Sequence, residues 1–292
     1  MFKYSSSFFI YLQIFIEKDN ENNNFNNNIT IMAIYLKKFE TQAAYEAAQS
    51  SLILPNVSLT VDNNMVHYNP YVEPIVAKFN VTSTTEPTQI INDTRLTAFT
   101  NIEIDDVVQP EVVSAYTFST TGEHTVKYTL ADPTTIYWAS FSRCVDMTNI
   151  ELPNSVTNIG QDAFIYCSGL TSVTMSTGVT SIGTTAFRSC YALTSIDIPN
   201  SVTSIGNRAF MYDSGLTSVV IPDGVTSIGG QAFMYCSGLT SITIEATTPP
   251  TLGTDVFSDT NDCAIYVPSG SVDTYKAAEN WSAYASRIQA MP

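Results

Sequence analysis

The sequence predicts a mainly β protein: a solenoid of 23-residue coils, closed by a C-terminal cap and preceded by a small β-sandwich-like domain. The solenoid rests on two observations. The segments VTNIGQDAF, VTSIGTTAF, VTSIGNRAF and VTSIGGQAF begin at Val156, Val179, Val202 and Val225, each 23 residues after the last. Three further ladders keep that interval: Phe141 through Phe233; Cys144, Cys167, Cys190, Asp213 and Cys236; and the apolar pairs from Ile150/Leu152 to Ile242/Ile244. The sandwich rests on a third observation, short alternating runs in residues 71–133 spaced by turn residues.

In chain order, residues 1–31 stand apart. Lys3 and the run Phe8–Ile16 resemble the start of a secretory signal. No small-residue cleavage site follows, the run is far short of the ~20 residues of a membrane span, and an Asn-rich tract comes next. Phe, Tyr, Ile, Asn and Lys share AT-rich codons. The composition therefore favours leader DNA translated ahead of a start at Met32, over a divergent signal or anchor. Residues 32–70 read as an attachment segment. Phe39–Ala48 is rich in helix formers, with Thr41 placed to cap it. Val57–Val61 and Met65–Tyr68 alternate around Asp62-Asn63-Asn64, the pattern of a hairpin. The string FET…Y……LPNVS……VHYNP resembles leaders in front of variable domains in proteins of gut anaerobes and their bacteriophages. In residues 71–133, Ile75–Val81, Asn101–Asp105 and His124–Leu130 alternate as strands. The cadence around Tyr116–Phe118 and Gly122–Tyr128 resembles the last hairpin of immunoglobulin-like spacer domains.

The coils occupy residues 134–250. In Leu170-Thr171-Ser172-Val173-Thr174-Met175 the residues Val173 and Met175 point inward and Thr174 outward. Gly183 is expected to supply the unusual φ/ψ of a tight corner, and Phe187 to fill the coil centre. One coil cannot bury its own faces, so its neighbours must cover them. A period of 20–29 residues with L-x-x-I-x-I signatures marks a leucine-rich repeat. The consensus LTSIxIPxSVTSIGxxAFxxC, over residues 138–246, closely resembles the BspA-like (Treponema-type) leucine-rich-repeat family. Residues 251–292 resemble that family's C-terminal cap, with a last strand at Cys263–Pro268 and a helix at Val272–Trp281. The resemblance implies a surface or secreted protein that binds host or matrix proteins, and a fold also found in phage-borne genes.

Charged residues are only 13% of the chain, against ~25% in an average domain, and the net charge is −15. No run of Lys and Arg exists to attract nucleic acid, and an anionic membrane is repelled. Neither is expected as a partner. Four of the five cysteines sit at one repeat position, a small apolar slot, so neither disulfides nor zinc are expected; Asp213 there marks a slot near the surface or a local polar contact. His124 reads as a packing residue, and no HExxH, GxSxG, P-loop or GxGxxG pattern occurs. The groups Glu103/Asp105/Asp106 and Asp255/Asp259/Asp262 read as solvated carboxylates, not calcium ligands. The chain is therefore expected to be no enzyme and to need no cofactor or metal. What varies between coils is the outward face. On the strands the varying residues are Glu151, Thr174, Asp197, Val220 and Thr243. Beside the Cys slot they are Tyr166, Ser189, Tyr212 and Tyr235, where the tyrosines form either a binding stripe or packing between coils. The expected role is recognition of a protein or glycan on a host or bacterial surface, from a virion, cell-surface or extracellular location. The alternative is a structural spacer.

Overall fold

Threonine, valine and isoleucine sit well on a pleated surface, and the computed structural model is accordingly almost all β. It describes residues 73–292 in full and, before them, the backbone of four strands. The chain divides into two units, Met1–Tyr71 and Val72–Pro292.

In the first unit, Val57–Asp62 runs antiparallel to Met65–Pro70, with Asp62 opposite Met65. The apolar run in the expected leader is a strand, Phe9–Ile16, paired antiparallel with Ile31–Phe39. Its aromatic and branched residues favour strand wherever a partner strand is at hand. The expected helix lies, beyond Phe39, outside the described residues.

In the second unit, the segment expected as a small β-sandwich-like domain shares its sheet with the solenoid. Ile75–Val81 pairs antiparallel with Gly122–Leu130 on one side and with Met147–Glu151 of the first coil on the other. Phe99–Ile104 and Val107–Val108 complete a sheet whose far edge is the solenoid strand Ser172–Thr174. Alternation along Gly122–Leu130 buries His124, Val126, Tyr128 and Leu130. Tyr128 and Phe99 pack on Phe141, with ring centroids 5.1 and 5.5 Å away. The physical reason is that the first coil would otherwise leave Phe141 and an unpaired strand edge in water. The sheet covers both. A short ribbon of Thr88–Gln89 with Ala115–Tyr116 is the only other pairing in this segment among the described residues.

The solenoid runs further than exact repeats indicate. Six short parallel rungs, from Thr135–Ile136 to Thr251–Leu252, form one side. The strand side starts at Met147–Glu151 and ends at Ala264–Val267 and Ile288–Ala290, inside the expected cap. The sixth coil departs from the repeat in two ways. Its interval lengthens to 24 residues, pairing Ser227 with Thr251, and Ile-Gly-x-x-Ala-Phe becomes Leu252-Gly253-x-x-Val256-Phe257. The third side of each coil is the turn around Phe, where alternate amides donate to the next coil: Phe164 to Ala186, Phe187 to Ala209, Phe210 to Ala232.

The phenylalanines stack along the axis, Phe141 to Phe233, with centroids 5.0–5.4 Å apart and planes within 9°. Thr157, Thr180, Thr203 and Thr226 each direct both amide and hydroxyl to the carbonyl of the equivalent residue one coil back. The glycine column has a different reason from the expected one. Among the described glycines only Gly122 has a left-handed φ; Gly206 is glycine because a Cβ there would lie 2.5 Å from the Thr184 amide and 2.6 Å from the Gly183 carbonyl carbon. Adjacent coils touch backbone to backbone.

The last coil is closed by polar groups aimed at its open carbonyls. Arg287 donates to Phe257 and Cys263, Asn280 to Leu252, Trp281 to Pro250 and Tyr275 to Ala246. These bonds occupy carbonyls at the open end of the stack, so the end is satisfied rather than exposed.

Candidate binding surface

Outward side chains fall in two rows on different sides of the coil. On the strand side, Glu151 lies beside Thr174, Asp197 beside Val220, and Val220 beside Thr243; the row extends to Tyr266 and Gln289. Glu151, Thr174, Asp197 and Val220 are exposed and Thr243 half-buried. Period-two alternation does this: Val219 and Ile221 go inward, so Val220 goes out.

The turn side is less regular in sequence and more unusual in backbone. Each of six coils holds two non-glycine residues in the left-handed region, two before and two after its phenylalanine: Asp162 and Tyr166, Thr185 and Ser189, Arg208 and Tyr212, Gln231 and Tyr235 among them. The left-handed region costs of order 1 kcal/mol or more for such residues. The alternation lets residues 139, 141 and 143 and their equivalents all donate forward to the next coil.

The tyrosine stripe is partly packed between coils and partly exposed. Tyr212 and Tyr235 stack on each other at 4.8 Å, so they do pack between coils. Tyr166 and Tyr235 nonetheless keep more than a third of their surface exposed. Ser189 leaves a gap in the row because it is buried. Arg188 fills that gap, its guanidinium 5.9 Å from the Tyr166 ring and 5.6 Å from Tyr212. Arg143 stands 5.7 Å from Tyr166 on the same row. The strand row and the tyrosine row are separate surfaces; the fold does not join the eight predicted residues into one site.

The coil's interior repeats as regularly as its outline. Buried thiols of Cys167, Cys190 and Cys236 donate to the carbonyls of Phe141, Phe164 and Phe210, at 3.0–3.3 Å. The family model for the BspA type leucine rich repeat region matches residues 134–267 in six copies. This solenoid is a BspA-type leucine-rich-repeat region. A leucine-rich repeat protein of Treponema pallidum is 28% identical, with 46% of this chain and 62% of that one covered and a TM-score of 0.41. A leucine-rich cell surface protein of Faecalibacterium prausnitzii is 34% identical over 45% of this chain and 35% of that one, with a TM-score of 0.41. The pneumococcal vaccine antigen PcpA is 21% identical over 56% and 44%, with a TM-score of 0.40. The chain spans less than two-thirds of the length of these proteins. No curated protein matches it.

Within the BspA-type solenoid, sequence reading missed the head of the tyrosine row. A cleft of about 370 Å³ lies there, lined by Asn92, Trp138, Ser142, Arg143, Asp162 and Tyr166. Trp138 is half-exposed, donates its indole N–H to Asp162 at 2.8 Å, and carries the Arg95 guanidinium 4.4 Å over its ring. The available signal was the first coil's departure from the repeat: Ile136-Tyr137-Trp138 stands where later coils have Ile-Gly-x. No coil precedes it to crowd out a side chain, so Tyr137 and Trp138 face water.

The slot of Asp213 is fully buried, and the polar contact is real: Oδ1 accepts from the Cys190 amide at 2.8 Å. Oδ2 has no partner. Burial pushes its carboxyl well above the usual carboxylate range, and burial pushes the Cys167 thiol up to about 12, leaving these thiols poor nucleophiles. His124 is a packing residue, nine per cent exposed and stacked on Phe118. Its Nδ1 meets Asp105 at 2.7 Å. Burial pulls the Asp105 carboxyl up, but hydrogen bonds from His124 and the Thr125 amide outweigh it and hold it below its ordinary value. Glu103 and Asp106 pair with Lys127. The first acidic group is thus occupied by its own sheet. Asp255 and Asp259 are coil positions, the sixth members of the two left-handed rows.

Proposed function

We propose that this chain is a non-enzymatic recognition protein, carried on a phage particle or a bacterial surface, whose solenoid binds a protein or glycan on a host or bacterial surface. One observation carries the reading. The buried frame repeats almost unchanged from coil to coil, while the strand row changes at every step and the turn row at most of them. In the turn row they change at positions where glycine would fit without strain, yet larger side chains stand there. The resemblance of the repeat to a family of surface and secreted binding proteins agrees with this. So does the polar character of both rows, which is typical of non-obligate interfaces. No described helix is long and apolar enough to cross a membrane, and neither nucleic acid nor membrane insertion enters the reading.

A screen of the full chain against host glycoproteins and bacterial surface extracts is expected to find saturable binding. Absence of any ligand, together with turnover in a substrate screen, overturns the proposal. A structural spacer of a virion or envelope is the second reading, favoured by the single buried core that runs unbroken from Ile75 to Ile288. Recovery in assembled particles with no free ligand bound supports that one.

A further inference from the structure

We propose that the turn side of the solenoid, from Arg95 to Tyr235, binds a linear anionic polysaccharide bearing uronate or sulfate groups. The inference rests on the binding-protein reading above and names its ligand class. It begins from the arginines. The chain has five, Arg95, Arg143, Arg188, Arg208 and Arg287, in a sequence of net charge −15. Arg287 is spent on the C-terminal cap. The other four all lie along the turn side, and among the described residues none is in a salt bridge. Of the lysines in residues 73–292, Lys78 and Lys127 are paired with carboxylates and Lys276, on the cap helix, is not. Free guanidinium groups have been collected on one strip of an acidic protein.

Their setting points to planar anions. Arg95 lies over Trp138, Arg143 beside Tyr166, and Arg188 between Tyr166 and Tyr212. Aromatic neighbours hold a guanidinium without neutralising it; the Nε of Arg95 and of Arg188 is buried against them, which leaves the terminal N–H groups for a carboxylate or sulfate. Arg208 is fixed one coil along by Gln231 at 2.6 Å. Arg143, Arg188 and Arg208 stand on the first, third and fourth coils, and successive coils are set at the spacing of the stacked rings, 5.0–5.4 Å. A polymer of sugar rings laid along the axis meets guanidinium groups at steps of two coils and then one, and the cleft by Trp138 takes its end.

Other polyanions fit less well. An added peptide strand needs free backbone groups, but the turn amides here are consumed in pairing with the next coil. Single-stranded nucleic acid binds by stacking bases on open aromatic faces, and the faces of Tyr166 and Tyr212 are taken by Arg143, Arg188 and Tyr235. The carboxylate on the strip, Asp162, accepts from Trp138, Gln161 and Thr185. At the far end Asp255 and Asp259 are exposed and repel an anion, so the strip has a defined length of about five coils.

The test is titration of the full chain with heparin and with polygalacturonate, using dextran, polyglutamate and an oligothymidylate as comparators, at low and high salt. The expected result is binding of one or both acidic polysaccharides, weakened by salt, with no binding of dextran. Arg143→Gln and Arg188→Gln are each expected to weaken it about tenfold, the loss of one charge-assisted contact. Asp273→Asn, at an exposed position on the helix of the C-terminal cap, leaves it unchanged. Arg143 is exposed, so its variant keeps the fold even if Arg188→Gln does not. Failure of both polysaccharides to bind, equal binding of polyglutamate or oligothymidylate, or full retention of affinity in Arg143→Gln overturns the inference. If surface extracts still bind in that case, the recognition reading stands and only the ligand class falls.

Discussion

Replacing Asp213 by cysteine restores the residue that four other coils carry in this slot, and the consequence is calculable in sign. In the wild-type protein the carboxyl is wholly buried, one oxygen bonded to the Cys190 amide and the other to nothing. An unsatisfied buried acceptor costs about 1–3 kcal/mol. A cysteine there places a thiol where Cys167, Cys190 and Cys236 each donate to a phenylalanine carbonyl 26 residues back, which for residue 213 is that of Phe187. Burial raises the Asp213 carboxyl in the folded state above its ordinary value of 3.8. Below about pH 4 both states are protonated, so the group adds no pH dependence there. As pH rises, the unfolded chain loses its proton first and the folded chain keeps it. Stability then falls by up to about 1.4 kcal/mol per pH unit, until the folded carboxyl also ionises. Asp213→Cys removes that slope and gains about 1–3 kcal/mol at neutral pH. Asp213→Asn removes the slope too, and its amide is able to donate to the same carbonyl. Urea denaturation of the three proteins at pH 4, 6 and 8 reads both effects. The reasoning is refuted if wild type and Asp213→Cys change in parallel with pH, or if wild type gains stability relative to the variant between pH 4 and 8.

Three further perturbations test the stack. Phe187→Ala leaves a void between Phe164 and Phe210 and is expected to destabilise by about 3–5 kcal/mol in urea. Gly206→Ala drives a methyl into backbone at 2.5 Å and is expected to lose about 1–3 kcal/mol; Gly270→Ala, with nothing near its added carbon, stays within about 1 kcal/mol of wild type. Arg287→Ala frees the carbonyls of Phe257 and Cys263. Amide exchange is expected to speed first in residues 251–292, with residues 156–210 unchanged, because each coil leans only on its neighbours.

The solenoid was legible because its interior repeats: the same phenylalanine slot recurs, and a fixed interval leaves no freedom of register. Legibility failed where geometry replaces sequence identity. The sixth coil keeps its rung through Leu252 and Phe257, although one added residue and Val256 for alanine break the string. The segment 71–133 gave its strands by alternation, yet nothing in that alternation says that Ile75–Val81 pairs with Met147–Glu151. Glycine was read as a corner residue; the contact of Gly206 with Gly183 is a property of two coils, absent from either one. The strand row was correctly assigned to the outside, since period two dictates it. The arginine strip was invisible because Arg95, Arg143, Arg188 and Arg208 are far apart in sequence and occupy different repeat positions. Only stacking brings them to one side.

The claim that the solenoid is a display frame for a binding surface is tested most directly by binding of the labelled full chain to intact host and bacterial cells, beside variants altered in each row. One variant carries Arg143→Gln with Tyr166→Ala and Tyr235→Ala; the other carries Glu151→Ala with Asp197→Ala. The account predicts saturable binding to one cell type that one row's variant abolishes while both proteins melt as wild type does. Binding to no cell, or binding that survives both sets of substitutions unchanged, contradicts it.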